Sequence, residues 1–324
     1  MNKSSLRIVF MGTPDFAVGI LKALVENKYN VVAVVTMPDK AMGRHGSVLQ
    51  PSAVKKYALS EGIPVLQPVK LRDESFLEAL RSFNAHLQVV VAFRMLPEAV
   101  WAMPPLGTIN LHASLLPQYR GAAPINWAII NGETETGVTT FFLQHDIDTG
   151  AVIRQERIPI QPDDNAETIH DSLMQLGAET TIRTVDDILA GTAVPIPQSQ
   201  MLPPDTPLNP APKLFKENTR ICWGQTAGEI HNFVRGLSPY PAAWTSFVRQ
   251  DGTPVDAKVF ETRAEEGSLP PGSVDSDLRS FLHVGTSRGI VSILSLQLAG
   301  KRRMPVADFL RGHADISGWK AVDG

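Results

Sequence analysis

The chain has 324 residues, of which 43% are hydrophobic and 19% are charged, and its formal net charge is −3. This length predicts two domains, and the composition is typical of a globular protein and excludes a surface coated with positive charge. The apolar runs have the length of strands rather than of membrane spans, and the first residues lack the apolar stretch of a signal peptide. With Cys222 as the only cysteine, no disulfide can form within the chain, and we expect a soluble, cytoplasmic protein.

The first two thirds of the chain alternate apolar runs of strand length with helix-like segments. Four runs predict strands: LRIVFM (6–11), VVAVVT (31–36), LQVVVAF (87–93) and GTINLH (107–112). One apolar helix face is predicted between the first two runs from Phe16, Ile20, Leu21 and Leu24. Continuous β-branched runs are typical of strands buried on both faces, and strands separated by helices are typical of βαβ units. The pattern therefore predicts an α/β domain with a mainly parallel sheet.

After Gly137 the pattern changes to two strand-like runs around a polar turn, GVTTFFLQHDIDTGAVIRQE (137–156). We expect these runs to form an antiparallel pair near one edge of the sheet. Asp164 and Glu167 have the spacing of a capping box, which predicts a helix that starts there and ends before Gly191. The apolar stripe of this helix consists of Ile169, Leu173, Leu176, Val185 and Leu189.

Residues 192–212 contain seven prolines, which excludes a helix and predicts an extended, stiff linker. Beyond it, one helix-like segment and several short strand-like runs predict a small β-barrel. We therefore divide the chain into residues 1–206, with the linker from about residue 192, and residues 207–324. The second part has 14 Lys and Arg against 12 Asp and Glu, and the first has 16 against 21, which permits a local nucleic-acid contact without requiring one.

Two other kinds of site have weak support in the first domain. GTPDFA (12–17) follows the first strand, where dinucleotide-binding folds place a glycine-rich loop, but its missing second and third glycines argue against NAD. His145, Asp146 and Asp148 lie within four residues, yet their spacing matches no zinc pattern, and a turn favours polar residues in any case. We therefore expect neither NAD nor a metal.

The stretch INLHASLLPQYRG (109–121) carries the strongest candidate site. On a strand, Asn110 and His112 share one face, and at the end of a parallel strand they face the crevice in which open α/β sheets bind ligands. The alternative is a polar pair that is satisfied by its own neighbours. Asp148, in the turn DIDTG, adds a carboxylate that can hold a cation or accept a proton. Since no Ser or Cys nucleophile accompanies the three residues, direct transfer fits better than an acyl-enzyme mechanism.

Residues 109–153 resemble the signature of the folate-dependent formyltransferases, with its Asn-x-His, Ser-Leu-Leu-Pro, Arg-Gly and Asp-x-Gly elements. The similarity covers nearly the whole chain. The chain is most similar to the members of this family that act on methionyl-initiator tRNA. The further stretches that carry this resemblance are RIVFMGTPDFAVGILKAL (7–24), PDKAMGR (38–44), KLFKENTRICW (213–223) and SPYPAAW (238–244). The resemblance implies a Rossmann-like catalytic domain, an OB-like β-barrel that binds tRNA, and 10-formyltetrahydrofolate as the formyl donor.

The resemblance also implies roles for single residues. Asn110, His112 and Asp148 match the catalytic trio of the family, which needs no metal. Donor contacts are implied for Ser114, Leu115, Leu116 and Pro117. The loop that lines the family's pterin pocket through its backbone corresponds to residues 93–96, where this chain is one residue shorter and has Arg94 in place of a common glycine.

The implied reaction forms N-formylmethionyl-tRNA for translation initiation, in a monomeric enzyme. Asn110 and His112 would stabilise the oxyanion, and Asp148 would orient His112 and help to remove the amine proton. Contacts to tRNA are expected from Arg44, Lys213 and Lys216, with Lys40, His45, Lys301, Arg302 and Arg303 as further candidates. The alternatives are a formyltransferase for a purine-precursor ribonucleotide or an amino-sugar nucleotide, and an inactive tRNA-binding translation factor.

Overall fold

The computed structural model describes residues 1–42 and 48–323 of the chain. The first elements are β1 (Arg7–Gly12), α1 (Asp15–Glu26), β2 (Asn30–Val35), β3 (Lys40–Met42), β4 (Val48–Gln50), α2 (Ala53–Ser60), β5 (Val65–Leu66), α3 (Glu74–Ser82) and β6 (Leu87–Val91). Next come α4 (Glu98–Trp101), β7 (Thr108–His112), α5 (Pro124–Ile130), β8 (Glu135–Phe142), β9 (Val152–Pro159) and α6 (Ala166–Ala190). The last are α7 (Ala227–Leu237), β10 (Ala243–Val248), β11 (Pro254–Glu265), β12 (Val274–Ser276), β13 (Leu282–Gly285), β14 (Ile290–Leu298), β15 (Met304–Pro305), α8 (Val306–Leu310) and β16 (Lys320–Val322).

The chain divides into two compact units, and neither is continuous in sequence. The first unit comprises Met1–Gly121, Thr136–Ile158 and His170–Pro210, and the second comprises Ala122–Glu135, Pro159–Ile169 and the chain from Ala211 onward. The last boundary lies four residues beyond the one that the sequence predicts. The two inserted pieces, which carry α5 and the start of α6, have no counterpart in the sequence-based division.

The first unit is built on a seven-stranded sheet of order β5-β2-β1-β6-β7-β8-β9. The first five strands are parallel, and β8 runs antiparallel to β7. Phe142 of β8 donates its N–H to the carbonyl of Ala151, and Gly137 lies against the carbonyl of Glu156, so β8 and β9 also run in opposite directions. The predicted parallel sheet with an antiparallel pair at one edge is confirmed.

Helices cover both faces of this sheet, as the continuous apolar strands require. Val9 and Met11 of β1 pack with Phe76, Leu77 and Leu80 of α3 on one face. The predicted apolar face of α1 is also confirmed, since Phe16, Ile20, Leu21 and Leu24 are all buried. Gly177 of α6 lies against the Leu111 side chain of β7, so the long helix passes directly over the candidate strand.

The start of α6 differs from the sequence-based prediction. The side chain of Asn165, not that of Asp164, accepts hydrogen bonds from the N–H groups of Glu167 and Thr168, at 2.9 and 3.0 Å. Thr168 returns the interaction by accepting from the Asn165 N–H at 2.9 Å. The Asp164–Glu167 capping box is therefore wrong by one residue, because Asn and Thr at the next register fill the two roles.

The second unit is a nearly closed antiparallel barrel. Its sheet has the order β12-β13-β14-β11-β10-β16, with β15 paired to β14. A bridge between Ser273 and Lys320 joins the first edge of this order to the last. The barrel core includes the buried Trp223 and Trp319 and the apolar face of α7. The α/β domain followed by a small β-barrel is thus confirmed.

The proline-rich segment that leads to the barrel is packed rather than extended in solvent. Ile196 exchanges two backbone hydrogen bonds of 2.8 Å with Val152 of β9. Residues 198–200 form a turn of 3-10 helix, and the Pro207 carbonyl and the Asn209 N–H both bond to the Gln118 side chain. The prolines do exclude an α-helix. The segment is not a free linker, however, because its residues up to Pro210 belong to the first unit. Among the helices of the residues described here, none is both long and apolar enough to cross a membrane.

Candidate functional site

The candidate site lies at the carboxyl end of β7, between β6 and β8. Asn110 pairs in register with Val90 of β6, and His112 pairs with Thr139 of β8. Strand alternation places the Ile109 and Leu111 side chains, which are 1% and 3% exposed, on the opposite face from the polar pair. The predicted strand therefore presents an amide and an imidazole on one face, next to the crevice of the sheet.

The His112 imidazole is fixed by a hydrogen bond to the backbone. Its Nε2 lies 2.8 Å from the carbonyl oxygen of Tyr119. A carbonyl oxygen only accepts, so Nε2 carries a hydrogen and donates it. Tyr119 is held in turn with a φ of 59°, and its N–H donates to the Asn209 carbonyl at 2.7 Å. Nδ1 is therefore the nitrogen that is left to act on a substrate.

Asp148 faces that nitrogen. Its Oδ2 lies 3.8 Å from His112 Nδ1, and the two side chains are only 14% and 8% exposed. The same oxygen accepts the N–H of Gly121 at 3.1 Å. Burial reduces screening by water, so the carboxylate acts strongly on any positive charge that forms on the ring.

The turn that presents Asp148 depends on a glycine. A Cβ at Gly150 would lie 1.7 Å from the carbonyl oxygen of Phe142, so no other residue fits where the strand ends meet. Asp148 itself has a φ of 54°, a conformation that Asp and Asn tolerate better than other residues with a Cβ. The sequence DIDTG thus places a carboxylate on a backbone with a positive φ, a conformation that few other residues adopt without strain.

The Asn110 carboxamide is available to a ligand. It is half-buried, and no residue in the described ranges forms a hydrogen bond with its side chain. A carboxamide has two N–H donors, and one of them can stabilise negative charge that develops on a substrate oxygen. Together with His112 and Asp148, it forms a site with a neutral donor, a titratable ring and an anion.

The segment assigned to donor contacts is mostly buried. Ser114, Leu116 and Pro117 are buried, and Ser114 donates its hydroxyl to the Gln118 carbonyl at 2.7 Å. The Thr139 hydroxyl accepts from the Leu116 N–H and donates to the Ser114 carbonyl. The polar groups of this segment are thus engaged within the protein, and its half-buried Leu115 is the member with surface to offer a ligand.

The loop after β6 is held in place by Arg94. The guanidinium of Arg94 donates to the carbonyl oxygens of Pro68 and Val69, the latter at 2.8 Å, and lies over the Phe93 ring. Burial lowers the pKa of Arg94 from its ordinary value.

The residues considered for a metal site or for NAD binding form contacts of a different kind in the structure. His145 pairs with Glu98 at 3.7 Å and packs edge-on against the Trp101 ring, while Asp148 faces His112. Within residues 1–42 and 48–323, no three His, Cys, Asp or Glu side chains are grouped as a metal site requires. A Cβ at Gly12 would lie 2.7 Å from the Ala17 Cβ, so this glycine allows β1 and α1 to pack closely.

Of the predicted tRNA contacts, Arg44 and His45 lie outside the described residues. Lys213 and Lys216 are exposed on the second unit, and their ammonium groups lie 5.4 Å from the Phe215 ring centre and 5.1 Å from that of Trp244. Arg220 lies over the same Trp244 ring at 4.7 Å, and the Phe215 ring is 55% exposed. We call these five residues the basic-aromatic patch.

The other basic residues expected to contact tRNA differ from one another in exposure and in their contacts. Arg303 is paired with Glu261 and donates to the Ser295 hydroxyl, so its charge is partly offset. Lys301 and Arg302 are exposed at the turn after β14, and Lys40 is exposed at the start of β3. Tyr119 and Arg120 lie within the candidate stretch 109–121, but the sequence indicates no role for them, and it does not indicate that Gln198 lies beside the trio.

Both units match known families. The family model described as formyl transferase matches residues 6–185, and the model of the formyl transferase C-terminal domain matches residues 213–314. Curated relatives named methionyl-tRNA formyltransferase are similar over nearly their full length. The protein of Parabacteroides distasonis is 60% identical over 98% of both chains, and that of Phocaeicola vulgatus is 60% identical over 97% of both.

Solved structures share the fold at much lower identity. WlaRD, a sugar 3N-formyl transferase, matches 92% of this chain and 99% of its own with a TM-score of 0.64 and 18% identity. HypX from Aquifex aeolicus, solved with tetrahydrofolic acid, matches 95% of this chain and 47% of its own, with a TM-score of 0.62 and 20% identity. These likenesses establish the two-unit fold alone.

Proposed function

Since the chain belongs to the formyl transferase family, we propose that it transfers the formyl group of 10-formyltetrahydrofolate to the α-amino group of methionyl-initiator tRNA. The observation that carries the choice of acceptor is the 60% identity to curated methionyl-tRNA formyltransferases over 98% of both chains. That identity includes the barrel unit as well as the unit that holds the trio. The sugar N-formyltransferases share only the fold, at 18% identity, so an amino-sugar acceptor is not favoured.

The nucleophile of this reaction needs little activation. An ester withdraws electrons from the neighbouring amine and lowers its pKa, so a neutral methionyl amine is accessible near neutral pH. Attack of its nitrogen on the formyl carbon forms a C–N bond and places negative charge on the formyl oxygen. Asn110 donates a hydrogen bond to that oxygen, and a donor of this kind typically contributes about 3 kcal/mol to transition-state stabilisation.

Proton transfer is the task of His112 and Asp148. Since Nε2 of His112 donates to the Tyr119 carbonyl, Nδ1 carries a hydrogen only when the ring is charged, and in that form Nδ1–H donates to the oxyanion and then gives its proton to the departing folate nitrogen. Asp148 stabilises the charged ring and accepts the proton that the amine loses, directly or through a water. The C–N bond to the donor then breaks, and neither a covalent intermediate with the protein nor a metal takes part.

We assign the donor to the crevice beyond the carboxyl ends of β6 and β7. The loop after β6 follows the strand that pairs with β7 beside Asn110, and its backbone polar groups suit the edge of a pterin ring. Donor contacts stay assigned to Ser114, Leu115, Leu116 and Pro117, and the internal hydrogen bonds of Ser114 and Leu116 hold this segment in place.

The barrel unit is assigned to tRNA. The basic-aromatic patch combines cations for phosphates with the exposed Phe215 ring, on which a base or a ribose can stack. Arg44 is assigned to the acceptor end of the tRNA from its sequence alone. We further take the enzyme to be a cytoplasmic monomer, because charged initiator tRNA is used there and a single active site suffices for the transfer.

The experiment that tests this function offers the protein several amines at once. The full chain is incubated with donor labelled in its formyl group and with methionyl-initiator tRNA, an amino-sugar nucleotide or a purine-precursor ribonucleotide. We expect label on N-formylmethionine released by mild base from the tRNA, and not on the two small acceptors. Label on a small acceptor, or none on methionine while the donor still binds, would overturn the assignment.

A further inference from the structure

One buried side chain from the proline-rich segment joins the two turns that hold the trio. Gln198 is 5% exposed, and all of its polar capacity is used within the first unit. Its Nε2 donates to the carbonyl oxygens of Asp148 and Gly150, both at 2.9 Å. Its Oε1 accepts from Arg120, at 3.1 Å from Nε and 2.5 Å from Nη2.

Gln198 joins Arg120 to the turn of Asp148, and each of these lies directly beside a residue of the catalytic trio. Arg120 lies between Tyr119, whose carbonyl holds the imidazole of His112, and Gly121, whose N–H holds the carboxylate of Asp148. On the other side, the carbonyl of Asp148 itself receives one of the Gln198 hydrogen bonds. A chain of contacts thus leads from His112 through Tyr119, Arg120 and Gln198 to Asp148. It connects the two residues whose Nδ1 and Oδ2 atoms lie 3.8 Å apart.

We propose that Gln198 is a positioning residue for formyl transfer, which sets the separation of His112 Nδ1 and Asp148 Oδ2 by tying Arg120 to the backbone of Asp148 and Gly150. The inference rests on the proposed function and adds to it a residue outside the trio's own strand and turn. Gln198 touches no reacting atom, so its effect on catalysis passes entirely through the trio.

The carboxamide suits this task better than any other side chain. Two carbonyl oxygens require two N–H donors, while the guanidinium requires an acceptor, and a carboxamide supplies both on one planar group. Glu keeps the acceptor and loses the donors, and Asn is one methylene too short to reach from the same backbone. That backbone is itself fixed, because Ile196, two residues earlier, is paired with Val152 through both of its backbone groups.

The first test replaces Gln198 with Met, which keeps the length and removes every polar contact. Gln200→Met is the matched control, because Gln200 lies in the same 3-10 turn and is exposed. Misplacing a catalytic group by about 1 Å costs about a hundredfold in rate, so we expect kcat for Met-tRNA formylation to fall between about tenfold and a hundredfold. KM for both substrates should stay within about twofold, because no binding contact is removed.

The second test separates positioning from general stabilisation of the fold. Gln198→Met is combined with Asp148→Asn, and kcat is measured for both single variants and the double variant. If Gln198 acts through Asp148, the second change costs little once the carboxylate is gone, so the two losses do not add. Additive losses, or a rise in KM without a fall in kcat, would overturn the proposal.

The experiment distinguishes failure of the proposed function from failure of the positioning role. If the wild type and Gln200→Met do not formylate methionyl-tRNA, the proposed function is wrong, whereas an unchanged kcat in Gln198→Met beside an active wild type refutes the positioning role alone. Should Gln198→Met fail to fold, Gln198→Glu tests the same point. It keeps the volume and the Arg120 partner but loses both donors to the Asp148 turn, and the same loss of kcat is expected.

Discussion

Replacing Asp148 with Asn removes one negative charge from the site and leaves its shape unchanged. Asn is preferred to Ala because residue 148 has a φ of 54°, which Asn tolerates and Ala does not adopt readily. The Asn side-chain oxygen can still accept the N–H of Gly121, so the turn keeps that hydrogen bond. What disappears is the attraction between the carboxylate and the charged His112 ring, together with the acceptor for the amine proton, so the attraction alone sets a lower bound on the loss.

The size of the loss follows from the geometry. Two opposite unit charges 3.8 Å apart in a medium with an effective dielectric constant of about 20 attract each other by about 4 kcal/mol. In rate terms this corresponds to about a thousandfold. The full attraction applies only when the ring is fully charged in the transition state, so we expect kcat to fall by at least about a hundredfold.

The assay is steady-state formylation with labelled donor and charged initiator tRNA, accompanied by thermal unfolding of each variant. Asp146→Asn is the matched control, because Asp146 lies in the same turn and is exposed. It should behave as the wild type. A near-normal kcat in Asp148→Asn, or an equal loss in Asp146→Asn, would show that the carboxylate does not act on His112 as described.

Three further outcomes are expected. Lys213→Ala combined with Lys216→Ala should reduce the salt slope of tRNA binding by about 1.8, whereas Lys22→Ala on the first unit should not; equal slopes would remove the basic-aromatic patch from the interface. EDTA should leave the rate unchanged, and a loss that zinc restores would contradict a metal-free transfer. Burial, and then the charge of Arg235, lowers the pKa of His231 below its ordinary 6.5, so the unfolded chain binds more protons as the pH falls. The free energy of unfolding should therefore decrease below about pH 6.5 less steeply in His231→Gln than in the wild type, and identical pH profiles would contradict this assignment.

The sequence predicts the elements of the sheet well because their signal is local. Alternation in residues 109–112 places Asn110 and His112 on one face, and the polar turn after β8 contains Asp148. Both features depend on the period of a strand and on turn chemistry, which a few neighbouring residues determine. The same is true of the apolar face of α1.

Contacts between distant segments are what the sequence does not reveal. Gln198 lies in a stretch whose prolines predict only an extended linker, and nothing near it indicates a partner at Asp148. For a similar reason, a single boundary at residue 206 does not anticipate the two inserted pieces, 122–135 and 159–169, that lie with the barrel. The helix α5 belongs with the barrel, where Asn126 donates to the Gly236 carbonyl at 2.8 Å, although most of the barrel unit begins only at Ala211, far along the chain from α5.

The central claim is that Asn110 and His112 act on the transition state of a direct transfer. Its most direct test is a rapid-quench, single-turnover measurement with enzyme in excess and both substrates bound. For Asn110→Ala and for His112→Ala, we expect N-formylmethionyl-tRNA to form at least about a hundredfold more slowly than in the wild type, while both substrates bind with unchanged affinity. No formyl label should remain on the protein at any time. Wild-type rates in either variant, or label bound to the quenched protein, would contradict the mechanism.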